Sequence, residues 1–243
     1  MRRGQPGLSS RPQLGCRFAL CPFFESAYWW AGFLVLTIVG ERLELSRLLR
    51  LTPLRLAAFL AAAILFLSGL CVTAWNFDWG VRLAGAGLVG LAVWLLSFDI
   101  ARKTVKMAGR PRFIAVCLLV GYVWMIVSGA LALGFGGAPA GPRYDAILHS
   151  LFLGFVFSMI FGHAPIIFPV VLGPPMVFRR TSYMHLALMH ASLALRVLGD
   201  LAGSAWARQW GGLLSIAAIL FFLVNTVLAV RAGVRAEGRA APA

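Results

Sequence analysis

The sequence predicts an all-α integral membrane protein: a bundle of about seven transmembrane helices, N-terminus outside and C-terminus cytoplasmic. Three observations carry this. Hydrophobic residues make up 60% of the 243-residue chain, whereas soluble domains run at about 45–50%. The excess falls in long runs, and about 20 apolar residues in succession cross the hydrocarbon of a bilayer. The 22 Lys and Arg residues sit in short segments between those runs, where the positive-inside rule places them.

Residues 1–25 read as a disordered, basic N-terminal tail. Its apolar part is short and broken by Arg17 and Pro22, unlike the core of a signal peptide. Residues 26–231 form the transmembrane domain and 232–243 a basic C-terminal tail. Span one, about 26–40, opens on Tyr28, Trp29 and Trp30, rings that favour the membrane–water interface. Its helix continues through "ERLELSRLLR". Thr52-Pro53 reads as an N-cap followed by proline at the first helical position, which starts span two, about 53–75. "NFDWG" reads as a turn. Span three, about 81–98, is rich in glycine (Gly85, Gly87, Gly90), and span four covers about 113–133. After the loop "GFGGAPAGPR", span five covers about 144–168. Pro165 and Pro169 end it by removing backbone donors. Spans six and seven cover about 182–201 and 210–230.

Eight Lys and Arg fall on the side of the N-terminal tail and 14 on the other, which puts the second side in the cytoplasm. The expected location is the inner or plasma membrane, with membrane lipid and a second copy or a membrane subunit as partners. The net charge of +14 does not indicate nucleic acid, because no basic groove with interleaved aromatics accompanies it. The four cysteines, at 16, 21, 71 and 117, include no Cys-x-x-Cys, so neither a zinc site nor a redox dithiol is indicated. There is no Ser-His-Asp set, phosphate-binding loop or zinc-protease motif.

Chemistry concentrates in spans five and six, which hold or border all four histidines: His149, His163, His185 and His190. His149 and His163 differ by about 40° around a regular helix and lie about 21 Å apart along it. They share a face but cannot ligate one metal. Ser150, Gly154, Ser158 and Gly162 recur every four residues, a seam that lets another helix approach closely. In span six, Ser182, His185, Met189, Ser192, Arg196, Gly199 and Asp200 fall at steps of three or four. Such a polar stripe faces the bundle interior. Arg196 and Asp200, at i and i+4, are expected to pair near the outer end. His190 lies about 140° away from His185 around the helix.

If spans five and six are antiparallel neighbours, His163 and His185 both lie near the cytoplasmic surface. They form the best pair for a metal or for bis-imidazole haem ligation. His149 lies near Arg196 and Asp200, as a second-site ligand or hydrogen-bonding group. Met159 and Met189 are thioethers that could serve copper, although flexible core packing is methionine's ordinary role. Glu41 and Glu44, with Arg42 and Arg47, read as an interfacial ion-pair cluster, and Asp99 as interfacial too. Asn225 reads as a helix–helix hydrogen bond.

The layout "HSLFLGFVFSMIFGHAP" followed by "LALMHASLALRVLGDL" resembles the NnrS proteins, bacterial polytopic membrane proteins of nitric oxide metabolism that contain haem and copper. The resemblance covers roughly residues 144–201 and rests on His149, Gly162-His163 and Arg196. This chain has about half that family's spans, and Ala164-Pro165 stand where the family carries Thr-Gly-Arg. The resemblance implies haem or copper held by these histidines. The leading functional expectation is therefore a haem- or copper-binding membrane protein of redox or nitric-oxide-response type. A second is a small transporter or channel whose polar stripe lines a path and whose histidines relay protons. A third is a membrane scaffold in which the histidines only hydrogen-bond between helices.

Overall fold

The computed structural model of the protein describes residues 23–46, 51–173 and 175–240. The expected tail up to residue 22, with Cys16 and Cys21, lies outside these residues, as do Arg47 and residues 241–243. The helices are α1 (Phe23–Ser46), α2 (Pro53–Val72), α3 (Phe77–Phe98), the short α4 (Ala101–Thr104), α5 (Arg110–Phe135), α6 (Pro142–His149), α7 (Phe157–Leu172), α8 (Ser182–Ala202) and α9 (Ala205–Ala240). A π-helical stretch, Ser150–Val156, joins α6 to α7 in one unbroken rod. Five helices are long and apolar enough to cross a membrane: α2, α3, α5, the rod over Pro142–Val171, and Ala205–Glu237 of α9. The chain is a multi-pass, all-helical membrane protein, consistent with a plasma-membrane location. The other two long helices, α1 and α8, have 24 and 21 residues.

Two girdles mark the ends of the bundle. Trp29, Trp30, Trp75, Trp79, Trp206 and Trp210 are all exposed, and all lie where α1, α3 and α9 begin or α2 ends. Indole rings concentrate at that depth because one edge is apolar and the other donates a hydrogen bond. At the opposite end, Arg102, Lys103, Lys106, Arg112, Arg180, Arg231 and Arg235 are exposed.

Local chemistry explains most boundaries. The Thr52 hydroxyl accepts from the Arg55 amide at 3.4 Å, capping α2 as expected. The expected turn "NFDWG" is instead the start of α3: Asn76 Oδ1 accepts from the Trp79 amide at 3.1 Å, the work of an N-cap. The rod does not end at Pro165 but runs through both prolines to Leu172. Pro169 has no N–H to give the Pro165 carbonyl, and Arg110 Nη1 donates to that oxygen instead at 3.3 Å. A donor from a neighbouring helix thus removes part of the cost of the proline. At the other end of the chain, α9 runs on through Ala240, so the expected tail from residue 232 is helical in the described residues.

In the core, α3 lies between α2 and α5. Gly69 of α2 faces the backbone of Ala84, Gly87 of α3 faces that of Phe66, and Gly85 faces Gly129 of α5. Small residues let these backbones touch where lipid offers no hydrophobic drive for helices to associate. The seam expected on span five behaves likewise against α5: Gly154 meets Trp124 and Gly162 meets Cys117. Asp78 and Arg82 close the indole-rich end. Arg82 pairs with Asp78 at 2.9 Å and donates to the Leu133 carbonyl at 2.6 Å. α8 packs chiefly on α9, and α6 with the π-helical stretch packs on α8, whereas α7 packs on α5. Spans five and six are therefore neighbours at the His149 end and diverge toward His163.

Candidate functional site

The sequence singles out the polar face of α8, and the structure gives most of it partners. At the basic end, Asn225 of α9 donates from Nδ2 to Ser182 Oγ at 3.1 Å and accepts from Thr181 Oγ1 at 2.5 Å. The expected helix–helix hydrogen bond of Asn225 is thus made twice. Midway, Ser192 Oγ lies 2.9 Å from Ser215 Oγ of α9. At the indole-rich end the stripe becomes ionic.

There the structure corrects the expected i, i+4 pair. Arg196 does not pair with Asp200. Its Nη2 and Nε both donate to Asp145 Oδ2 of α6, at 2.7 and 3.1 Å. Asp200 takes Arg208 of α9, with Nε 2.7 Å from Oδ1 but without hydrogen-bond alignment. Antiparallel neighbours bring these oppositely charged tips together at one depth, and an inter-helix fork binds a carboxylate better than a same-helix contact. His149 joins the cluster: its Nδ1 lies 3.0 Å from the Asp145 carbonyl and 3.1 Å from Asp145 Oδ1. Room for the Arg196 guanidinium comes from Gly211-Gly212 of α9, where a Cβ at Gly212 would stand 2.7 Å from Nη1. A cavity of about 300 Å³, lined by Arg196, Ala205, Arg208 and Gln209, opens beside the cluster. Asp145 and Arg208 are the functional candidates that sequence reasoning missed. Asp145 stands four residues before His149, and that spacing was the available signal.

The four histidines do not converge. His149 belongs to the ionic cluster. His163, half-buried on α7, donates from Nδ1 to the Met159 carbonyl at 2.7 Å, and Arg42, Glu41 and Asp99 are charged groups within its electrostatic reach. His149 and His163 therefore face different neighbours, not the one face expected from 100° per residue. The π-helical stretch between them turns more slowly per residue than an α-helix and breaks that phase. His190 stacks on Trp124 at 6.4 Å and contacts Ser158 at 3.4 Å. Ser158 gives its single proton to the Gly154 carbonyl at 2.5 Å, so the imidazole Nε2–H is the donor to Ser158.

His185 is different from the rest. It is 2% exposed, and neither ring nitrogen has a hydrogen-bond partner. Four phenyl rings surround it edge-on: Phe161 at 4.9 Å, Phe222 at 5.3 Å, Phe221 at 6.0 Å and Phe113 at 6.2 Å. A buried polar group left without a partner costs about 1–3 kcal/mol. Met189 and Cys117 are fully buried in the same apolar cluster as Phe113, Phe161 and Phe222. No group of three or more His, Cys, Asp or Glu placed to hold one metal ion occurs among the described residues. Asp99, expected at the interface, is buried: it accepts from the Tyr122 hydroxyl at 2.7 Å and the Ala101 amide at 2.7 Å.

No curated protein and no solved structure matches the chain. One family model does, over residues 18–231, nearly the whole length of the sequence; the chain belongs to that family, described as Domain of unknown function (DUF8744).

Proposed function

We propose that this is a seven-span membrane protein, with α1 and α8 as the sixth and seventh crossings, that holds a redox cofactor, haem or copper, at His185. The observation that carries this reading is the unpartnered imidazole of His185 in its phenylalanine cage. Ligation would satisfy one ring nitrogen with no water in the apolar cluster. Met189, one turn along α8, and Cys117 bring soft sulfur donors to the same cluster, which suits copper better than haem. His163 is the second candidate ligand. Its Nδ1 bond to a carbonyl fixes the proton there and leaves the Nε2 lone pair free, the tautomer a metal takes. Phe161, with its ring 4.9 Å from that of His185, comes from the same helix as His163. One-electron exchange is the chemistry either cofactor supplies. The resemblance of residues 144–201 to the NnrS proteins gives nitric oxide metabolism as the setting.

The experiment is an absorption spectrum with metal analysis on protein purified from haem- and copper-replete cells. A Soret band, or copper near one per chain, is expected. His185→Ala is expected to abolish it, and His163→Ala to weaken it if the two share a site. Colourless, metal-free wild-type protein overturns the proposal.

The ionic cluster favours a second reading, a transporter whose path follows α8. Charged groups in a span are costly and cluster at ion and proton pathways. Under that reading metal-free protein in liposomes carries a proton or solute flux, and Asp200→Asn stops it.

A further inference from the structure

We propose that the cleft at the basic end of α5 and α8 binds the phosphate headgroup of an anionic phospholipid. The cleft has a volume of about 600 Å³ and is lined by Ala108, Gly109, Arg112, Val116, Phe178, Arg180 and Tyr183. Arg112 and Arg180 come from different segments, the first turn of α5 and the approach to α8, and both are exposed. Among the described residues neither guanidinium has an ion pair or a side-chain hydrogen bond. Arg110 donates to the Pro165 carbonyl, and the guanidiniums that line the cleft are those of Arg112 and Arg180.

The remaining wall is largely apolar. Tyr183 meets Phe113 edge-on at 5.1 Å, and Phe178 lies 5.6 Å from Phe113 and 6.4 Å from Tyr183. Val116 continues the wall one turn further into the membrane-crossing part of α5. Guanidinium forks match phosphate oxygens bidentately. An apolar wall running from those forks toward the bilayer core fits an acyl chain, which a free phosphate lacks. Basic pockets between membrane helices on the more positive side take anionic headgroups in this way.

The test uses the full chain, delipidated in neutral detergent. Short-chain phosphatidylglycerol, short-chain phosphatidylcholine and inorganic phosphate are titrated separately, and bound adducts are read by native mass spectrometry. Phosphatidylglycerol is expected to bind more tightly than phosphatidylcholine. Arg112→Ala and Arg180→Ala should each weaken it about fivefold, and the double variant about 25-fold. The charge-keeping pair Arg112→Lys and Arg180→Lys should bind more weakly than the wild type, having lost the forks, but more tightly than the double alanine variant, which separates lost charge from lost fold. Arg235→Ala, an exposed arginine outside the cleft, should leave it unchanged. Equal phosphatidylglycerol binding by the double alanine variant overturns the proposal. Displacement of the lipid by millimolar inorganic phosphate overturns it too, by making this a site for the free anion.

Discussion

At the scale of single residues, the molecule is decided by which charge finds which. Arg196 is four residues from Asp200 on α8, yet its guanidinium forks onto Asp145 of α6. Asp200, with its side chain fully buried, lies against Arg208. Removing one member of such a pair strands the other in a site of low dielectric. Asp145→Asn and Arg196→Gln are therefore each expected to destabilise the protein by about 1–3 kcal/mol, measured as thermal unfolding in detergent. The double variant should lose less than the sum, because neither charge is then stranded. A double-mutant cycle that couples Arg196 to Asp200 and not to Asp145 would contradict this pairing. Sequence reasoning singled out three of the five residues of this cluster, His149, Arg196 and Asp200, and not Asp145 or Arg208. It missed the partner choice, since a one-dimensional pattern ranks the i+4 neighbour first.

At the scale of helices, glycine placement matters more than hydropathy. Gly87 of α3 rests on the backbone of Phe66 in α2, whereas nothing lies within 4 Å of the Cβ position at Gly40 of α1. Gly87→Ala should cost about 1–3 kcal/mol by forcing α2 and α3 apart. Gly40→Ala should be neutral or stabilise by up to about 1 kcal/mol, through helix propensity alone. Comparing the two unfolding temperatures checks this, and equal effects would count against close packing at Gly87. The rod of α6 and α7 shows the limit of pattern reading. Its prolines mark a stop in sequence, but the Arg110 donor lies 55 positions before Pro165. Its π-helical stretch has no breaker to announce it. The π-helical stretch lies between His149 and His163 and changes their relative phase.

At the scale of the whole molecule, the exposed indoles lie at one end and most of the exposed arginines and lysines at the other, Arg143 excepted. That polarity supports the proposed orientation, with the basic end cytoplasmic. Reporter fusions should place residue 104 and residue 180 inside and residues 75 and 138 outside. Fusions reporting 75 and 104 on one side would remove α3 as a crossing and the seven-span count with it. In this frame the ionic cluster of Asp145, Arg196 and Asp200 lies near the outer surface. The Arg112–Arg180 cleft lies at the inner one, and His185 lies in the apolar packing of α5, α7, α8 and α9.

The amino-acid sequence alone determined that the chain is helical and crosses a membrane repeatedly. It also determined where most helices start and that one face of α8 is polar. Those properties depend on composition, periodicity and residues within a few positions of one another. Tertiary structure alone decided that Arg196 joins Asp145, that a donor from α5 carries the rod through its prolines, and that His185 is enclosed by phenyl rings while His163 is not. Each of these depends on side chains far apart in sequence meeting at one depth, and so on how the helices cross and diverge.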